Sequence, residues 1–445
     1  MASTRARIGK MKREAGLFSV TSWGVGIILG AGIYVLVGEA AGIAGNSVWI
    51  SFILGSMVAS LTGLSYAELS SVFPKDAAEY VYVKIACGCE ILSFMVGWLT
   101  ILTGIISVSA VALGFAGYFQ GLLGFPRILT ALVLIFLLSY INFLGIKEST
   151  RMNILFTLVE AGGLILFVAI GLGSLGRVDL LEAPNGFSGV FSAAALIFFA
   201  YLGFEDIVNI AEETKEPEKT IPKALVLSIL ITTLLYVLVA VVSVNLADWQ
   251  ILGKSNAPLA FASSRVLGEN AFMLMSIIAL FATSNTVLIM LVVGSRMIYG
   301  MAKEGAFPRF LSKIDPKKDT PSLAIVVTML ASILFLFIGD LELVAALTSF
   351  GAFITFAFVN ISLIYIRYRR TEVERPFRVP LNVGRFPITG FLGLVTCLFF
   401  VLQFDITVIL SGSFFLVVGL VLYKLVKIIR SRGDRSIRET TAAAE

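Results

Sequence analysis

The chain has 445 residues, of which 58% are hydrophobic and 14% are charged, and its mean hydropathy is +0.95. This composition excludes an ordinary soluble globular protein and is typical of a polytopic membrane protein. The net charge of +5 is expected to reflect membrane topology and contact with anionic lipid, so no nucleic-acid partner is predicted.

Charge-poor segments recur along the chain at the length that a helix needs to cross a bilayer. They predict an all-α fold with twelve transmembrane helices, at residues 16–38, 48–69, 91–117, 128–146, 152–176, 187–211, 223–246, 270–300, 321–339, 343–366, 386–404 and 406–424. All but four of the 34 lysine and arginine residues then lie on one side, which the positive-inside rule assigns to the cytoplasm. The four exceptions are Arg127, Arg177, Lys254 and Arg265.

This topology predicts a multi-pass protein of the plasma membrane with both termini in the cytoplasm. The predicted tails are residues 1–15 and 430–445, and the polar C-terminal tail is expected to be disordered. The segment from Asp76 to Lys84 is too short and too polar to cross. It is predicted to be a helix at the cytoplasmic interface, with its aromatic side chains towards the headgroups.

The first span has three small residues, Gly30, Ala31 and Gly32, near its middle. Glycine destabilises a helix interior by about 1 kcal/mol relative to alanine. One interpretation is that the helix breaks here and presents free N–H groups and a positive dipole end, which together form an anion site inside the membrane. The other is a close helix–helix contact through small residues.

The sixth span has a corresponding irregularity, because Gly203 is followed closely by two adjacent carboxylates, Glu205 and Asp206. A break near Gly203 would leave carbonyl groups at the end of one half-helix and N–H groups at the start of the next. Alternatively, the span ends early and the carboxylates face water. Spans one and six are five apart, and glycine-interrupted segments at matching positions of two halves indicate a transporter site.

Two further polar features lie inside predicted spans. Glu160 lies roughly 13 Å into the fifth span, where an unpaired charge costs at least about 2.5–3.5 kcal/mol. Glu160 is therefore expected to be protonated, paired or turned to a polar cavity, in either a functional or a structural role. In span eight, four consecutive polar residues, Thr283-Ser284-Asn285-Thr286, must place some side chains in the protein interior.

The residue types limit the classes of function. With no histidine in the chain, and with cysteines only at positions 87, 89 and 397, neither a metal site nor a cofactor is predicted, and free thiols are expected. An enzyme is not expected, since nucleophile, base and ligand residues form no cluster. A channel and a sensor that does not transport are weaker alternatives to a carrier.

Several motifs resemble, in the expected order, the amino acid–polyamine–organocation superfamily, and in particular its prokaryotic permeases related to cationic amino acid transporters. The motifs are Gly26 to Tyr34, Tyr66-Ala67-Glu68-Leu69 with Tyr80, Gly203-Phe204-Glu205, Glu212-Glu213 to Pro222, Ser295-Arg296 to Pro308, and Arg375-Pro376-Phe377-Arg378-Val379-Pro380. The resemblance implies a five-plus-five inverted repeat, with residues 16–176 and 187–368 as the repeats, helices one and six broken, and two added spans within 386–429.

The resemblance also implies a substrate site at the two breaks. The α-carboxylate of an amino acid would bind the N–H groups near Gly30, Ala31 and Gly32. Its α-amino group would bind carbonyl groups near Ile27 and at the end of the first half of span six, and Phe199 would close over the ligand as a gate. The residues of span six in this site are Phe199, Ala200, Leu202 and Gly203.

The resemblance further suggests the coupling groups. Glu205 matches a carboxylate that is linked, in relatives, to ion coupling or to the response to protons. Glu160 stands where proton-coupled relatives often have a lysine in place of a sodium ion between spans one, five and eight. A carboxylate there could bind a proton or a cation, and Thr283 and Ser284 could contribute to a cation site. The coupling ion, proton or sodium, is left open.

The sequence therefore predicts proton-coupled uptake of neutral amino acids by alternating access. The expected pocket is mostly small and apolar, which favours neutral substrates. Glu205 and Asp206 could instead meet a cationic side chain. Transport or exchange of cationic amino acids or polyamines is the alternative.

Overall fold

The computed structural model describes residues 15–73, 78–315, 318, 320–338 and 340–442. Within these residues the chain is almost entirely helical. The α-helices are α1 (Leu17–Ile28), α2 (Ala31–Ala44), α3 (Val48–Val72), α4 (Ala78–Cys87), α5 (Glu90–Leu123), α6 (Arg127–Leu144), α7 (Ile146–Gly171), α8 (Gly186–Ile197), α9 (Pro217–Leu246), α10 (Trp249–Leu252), α11 (Pro258–Leu267), α12 (Glu269–Lys303), α13 (Ser322–Leu336), α14 (Leu341–Arg369), α15 (Ile388–Val401) and α16 (Ile406–Ala442).

The remaining regular structure is short. Five segments are 3₁₀-helical, namely Gly45–Ser47, Leu172–Ser174, Phe198–Tyr201, Phe204–Glu213 and Arg309–Ser312. Strands β1 (Asn382–Val383) and β2 (Phe386–Pro387) form a small antiparallel hairpin between α14 and α15. Of the predicted N-terminal tail, only Ala15 lies within the described residues.

Nine helical segments of the described chain are long and apolar enough to cross a membrane, and α1, α13 and α15 are shorter apolar helices. The protein is therefore an all-α, multi-pass membrane protein, as predicted. The longest segment, Ala31–Val72, has 42 residues, which would make a straight helix of about 63 Å, twice the bilayer core. It turns at Gly45 (φ 70°), so that α2 and α3 are separate helices. The twelve-span count and the repeat remain predictions.

The first predicted break is confirmed. Helix α1 ends at Ile28, Leu29 and Gly30 are extended, and α2 begins at Ala31. The predicted close contact is present as well, because a Cβ atom on Gly32 would lie 2.4 Å from Ala200 Cα. The small residues therefore both interrupt the helix and allow the sixth span to approach it.

The break in the sixth span is also confirmed. Helix α8 tightens into the 3₁₀ turn Phe198–Tyr201, and the chain then passes through Gly203 at φ 109°, a conformation that favours glycine. A Cβ atom on Gly203 would lie 2.6 Å from Ile27 Cγ2 and 3.1 Å from the Ile27 carbonyl oxygen. The two breaks thus pack directly against each other in the interior of the bundle.

Helix α4 confirms the predicted short helix from Ala78 onwards, whereas Asp76 lies outside the described residues. The predicted orientation of its aromatic side chains is wrong. Tyr80 and Tyr82 are buried, because α4 packs against α5 and α14, and the Tyr82 ring meets the edge of Tyr66. Lys84 lies on the outer part of α4, 3.5 Å from Glu304.

The C-terminal helices differ from the sequence-based expectation in one respect. The backbone of α16 is helical as far as Ala442, through most of the tail that the sequence predicts to be disordered. This stretch has no proline and continues a helix that is already formed, so it needs no new nucleation, although Gly433, Asp434 and Thr440 have low helix propensity. Helix α15 packs on α3 and α14, and Cys397 Sγ lies 3.7 Å from Thr62 Oγ1.

Candidate functional site

The two breaks enclose a small cavity in the bundle interior. It is lined by Ile27, Ile28, Gly30, Ala31, Gly32, Ser107, Phe199, Ala200, Leu202, Thr286, Ile289 and Met290. Every residue predicted to bind substrate lines it except Gly203, which lies behind the wall against Ile27. The volume is about 20 Å³, close to the minimum that one water molecule requires. The walls must therefore move apart before a larger molecule can enter.

One wall of the cavity is the N-terminus of α2. The first N–H groups of a helix have no partner within it and carry the positive end of the helix dipole. Here the N–H of Ala31 donates to Thr286 Oγ1 at 2.9 Å. Thr286 belongs to the polar run of α12, and no sequence pattern distinguishes it from its neighbours. The hydroxyl of Thr286 stands where an anionic ligand oxygen would accept the same hydrogen bond.

The opposite chemistry is provided by the carbonyl groups at the ends of the two preceding half-helices. Tyr236 Oη, from α9, lies 2.8 Å from the Ile28 carbonyl oxygen and 3.1 Å from that of Ala200. One hydroxyl group has one proton, so it cannot fully satisfy both acceptors at once. These incompletely satisfied carbonyls can accept a hydrogen bond from a cationic donor, and Tyr236 bridges them. Nothing in the sequence points to Tyr236, since a single tyrosine in an apolar span has no distinguishing pattern.

Phe199 lies on the cavity wall and is almost fully buried, with 6% of its surface exposed. It belongs to the 3₁₀ turn Phe198–Tyr201, directly before the break. Its role as a gate remains a prediction.

Glu160 lies outside the cavity, behind α2. Its side chain is fully buried, and neither carboxyl oxygen has a hydrogen-bond partner among the described residues. Its own carbonyl oxygen accepts a hydrogen bond from Tyr34 Oη at 2.7 Å, which ties α7 to α2. The Asn285 amide and the hydroxyls of Tyr34 and Tyr236 interact electrostatically with the carboxyl group. Glu160 is thus surrounded by polar groups of α2, α9 and α12.

Glu205 lies on the other side of the break, after Gly203. Its Oε2 accepts a hydrogen bond from the Gly203 N–H at 2.9 Å, so the side chain caps the second half of the span. It interacts electrostatically with Asp206 and with Glu79 of α4. Burial raises the pKa of Glu79, while a hydrogen bond from Tyr66 Oη to Glu79 Oε1 at 3.0 Å opposes this rise. These carboxylates form a group separate from the cavity.

Thr283 and Ser284, the predicted cation ligands, do not line the cavity. The Thr283 hydroxyl donates to the Ala279 carbonyl of its own helix at 2.7 Å. In the same run, Asn285 accepts a hydrogen bond from Asn153 at 2.9 Å and donates one to Thr157 at 3.2 Å. The polar run therefore joins α12 to α7, and a cation site at Thr283 and Ser284 remains a prediction.

A buried ion pair lies at the end of the bundle that carries Arg367, Arg375 and the β1–β2 hairpin, which we call the basic end. Glu68, at the end of α3, accepts hydrogen bonds from Arg367 Nε at 2.8 Å, Arg367 Nη2 at 2.5 Å and the Val379 N–H at 2.8 Å. The Arg375 side chain lies 3.5 Å from the same carboxylate. Two separate sequence motifs, around Glu68 and from Arg375 to Pro380, thus meet at one buried charge.

Known transporters and one family of transporters are similar to this chain in sequence. The sequence profile of the family described as "Amino acid permease" matches residues 16–423. A branched-chain amino acid permease of Bacillus subtilis is 32% identical over 93% of each chain, and a methylthioribose transporter of the same organism is 30% identical over 95% of each chain. The vacuolar cationic amino acid transporter 2 of Arabidopsis thaliana is 31% identical over 78% of this chain and 58% of its own length.

Proposed function

Because the chain belongs to the amino acid permease family of the amino acid–polyamine–organocation superfamily, we propose that it takes up neutral amino acids by secondary active transport coupled to protons. The observation that carries the proposal is the pairing of unlike helix ends around one cavity. The N-terminus of α2 lines this cavity together with Ile28 and Ala200, whose carbonyl oxygens share the Tyr236 hydroxyl. Such a pair matches the opposite charges of an amino acid zwitterion.

In this proposal the substrate carboxylate accepts hydrogen bonds from the first N–H groups of α2, at Gly30 to Gly32, and displaces or shares the Thr286 hydroxyl. The ammonium group donates to carbonyls near Ile27 and Ile28 and between Phe199 and Leu202. Tyr236 keeps these carbonyls at the required separation. The carboxylate and ammonium groups of the substrate move from water to protein groups that are already oriented. This orientation reduces the free-energy cost of binding in a low-dielectric interior.

The cavity of about 20 Å³ is too small for an amino acid, so binding must be coupled to movement of the walls. We propose that the two halves of the chain, residues 16–176 and 187–368, form the five-plus-five repeat of a twelve-span fold and rock about the breaks. Phe199 then opens and closes one route to the site. Spans eleven and twelve, within 386–429, lie outside the repeats.

The chemistry of the walls favours neutral side chains. The lining residues from α1, α2, α5, α12 and the breaks include no charged group, and most of them are apolar. Cationic amino acid transporters are among the relatives, which supports transport of cationic amino acids as the alternative. Polyamine transport is part of the same alternative. For a cationic substrate, Glu205 and Asp206 would have to move into contact with its side chain.

Glu160 and Glu205 are the proposed proton-binding groups. A charge on the fully buried, unpartnered Glu160 carboxyl would be costly, and a bound proton removes that cost. Tyr34 and Tyr236 connect this position to α2 and to the break carbonyls. Loss or gain of the proton would therefore affect the substrate site. A sodium ion near Glu160, Thr283 and Ser284 is the alternative coupling ion.

The proposed location is the plasma membrane, with both termini and the basic end in the cytoplasm. The positive-inside rule supports this orientation, since the basic end carries Arg367, Arg375, Arg378 and Arg385.

The test is uptake of labelled amino acids, leucine and arginine first, into proteoliposomes with and without an inward proton gradient. Leucine uptake that rises with the gradient is the expected result. Uptake only into liposomes preloaded with amino acid would instead indicate an exchanger. Preference for arginine would favour the cationic alternative, and no uptake of any amino acid or polyamine would contradict the carrier proposal.

A further inference from the structure

The polar side chains that line the substrate cavity differ in their hydrogen bonding. Among the cavity-lining residues, all of which the structure describes, the polar side chains are Ser107 of α5 and Thr286 of α12. The Thr286 hydroxyl is occupied, because it accepts from the Ala31 N–H and lies 3.3 Å from the Ala282 carbonyl oxygen. The Ser107 hydroxyl is buried and has no hydrogen-bond partner among the described residues.

Ser107 shares this state with Thr103 and other buried hydroxyls, but it differs from them in lining the substrate cavity. Serine and threonine hydroxyls in helix interiors commonly donate to the carbonyl one turn earlier. Two neighbours on α5 do so, since Thr100 donates to the Val96 carbonyl at 3.1 Å and Ser109 bonds the carbonyls of Ile105 and Ser332. Ser107 makes no such bond, and its hydroxyl lies on the cavity wall. A buried hydroxyl without a partner is costly, and at Ser107, unlike at Thr103, a ligand in the substrate cavity can supply that partner.

The two charged groups of an amino acid are matched by the broken helices, and Ser107 belongs to neither of them. The part of the ligand left for α5 is therefore its side chain. The other residues outside the broken helices that line the cavity are Thr286, Ile289 and Met290 of α12, and the last two are apolar. A single hydroxyl in an apolar wall fits a small aliphatic side chain that itself carries one hydroxyl group.

We infer that Ser107 is a specificity-determining residue that forms a hydrogen bond with a side-chain hydroxyl of the substrate, so that the carrier prefers hydroxylated aliphatic amino acids such as threonine to apolar isosteres such as valine. This inference rests on the proposed function. A site built to bond a hydroxyl rejects the analogue that lacks it, because the protein group is then left unpaired. Threonine and valine differ in this group and hardly in shape.

The test is simultaneous uptake of ³H-threonine and ¹⁴C-valine by the same proteoliposomes, which gives the ratio of their transport efficiencies directly. For Ser107→Ala the ratio of threonine to valine is expected to fall about three- to tenfold, the effect of one neutral hydrogen bond. The substitution only removes an oxygen atom from a helix interior, so folding is retained. An unchanged ratio, or an equal loss for both substrates, would overturn the inference.

Thr103→Val is the matched control. Thr103 lies one turn before Ser107 on α5, and its hydroxyl is also buried without a partner, but it faces a separate small cavity beside Phe350 and Gly351. Its substitution should leave the ratio unchanged, and an equal change there would also overturn the inference. If the wild type carries leucine but neither threonine nor valine, this inference fails while the proposed function stands. If it carries no amino acid, both fail.

Discussion

Tyr236 Oη lies 2.8 Å from the carbonyl oxygen of Ile28, although the two residues are 208 positions apart in the chain. The same hydroxyl lies 3.1 Å from the carbonyl oxygen of Ala200. One side chain of an unbroken helix thus connects the two broken ones at the point where a substrate ammonium group is proposed to bind. When no ligand is bound, the hydroxyl stabilises these carbonyls and holds them in the position that a ligand would need.

Tyr236→Phe should therefore weaken substrate binding more than it weakens the fold. The carbonyls lose their common donor, and we expect KM to rise about tenfold, with apparent stability reduced by about 1–2 kcal/mol. Uptake kinetics in proteoliposomes and thermal unfolding in detergent measure the two effects separately.

The matched control is Tyr201→Phe. The Tyr201 ring packs against that of Tyr236, and its buried hydroxyl also donates to a backbone carbonyl, that of Phe52 at 2.8 Å, away from the breaks. The control should lose stability to a similar extent and keep its KM. Equal changes of KM in both variants would contradict a role for Tyr236 at the substrate site.

Gly203→Ala should abolish transport. At φ 109° an alanine is strained, and its Cβ atom would lie 2.6 Å from Ile27 Cγ2 and 3.1 Å from the Ile27 carbonyl oxygen. We expect uptake to fall at least about tenfold at equal protein in the membrane, because the breaks can no longer pack together. Gly162→Ala is the control, since a Cβ atom there would meet no neighbour within 4 Å. Normal uptake by Gly203→Ala would show that the close packing of the breaks is not required.

The sequence reveals the breaks and much less of what surrounds them. Gly30, Gly32 and Gly203 are visible because glycine inside an apolar helix is costly and so requires a reason. Thr286 and Tyr236 carry no such cost, since a threonine or a tyrosine in a membrane helix usually serves packing. Their roles depend on contacts such as that from Ala31 to Thr286, across 255 residues, which no local pattern records.

Glu160 lies between these cases. The free-energy cost of a charged carboxyl group at its depth in the membrane could be estimated from the sequence, whereas the groups that contact it could not be predicted. The burial of Tyr80 and Tyr82 was missed for a related reason. An amphipathic helix at the interface has the same sequence pattern whether its aromatic face meets lipid or the protein, and only the packing of α4 on α5 and α14 decides between them.

Glu160→Gln should separate transport from its driving force. Glutamine keeps the size of the side chain but cannot release a proton, so the dependence of leucine uptake on an inward proton gradient should disappear while exchange of internal for external leucine remains. Initial rates measured between pH 5 and pH 8 test this, with the exposed Glu90→Gln as the control. The same measurement on Glu205→Gln decides which carboxylate responds. If both variants keep the wild-type pH dependence, neither residue is the coupling group.

Glu68→Gln tests the buried ion pair at the basic end. The substitution leaves Arg367 and Arg375 without their shared counter-charge, and the loss of one partner from a buried pair costs about 3–5 kcal/mol. We expect the apparent unfolding temperature in detergent to fall by several degrees, and the double variant with Arg367→Met to recover part of the loss. Lys219→Met, which breaks the exposed pair with Glu216, should cause no measurable change. A Glu68→Gln variant as stable as the wild type would show that the hydrogen bonds to Val379 and Arg367, which glutamine can partly retain, outweigh the charge.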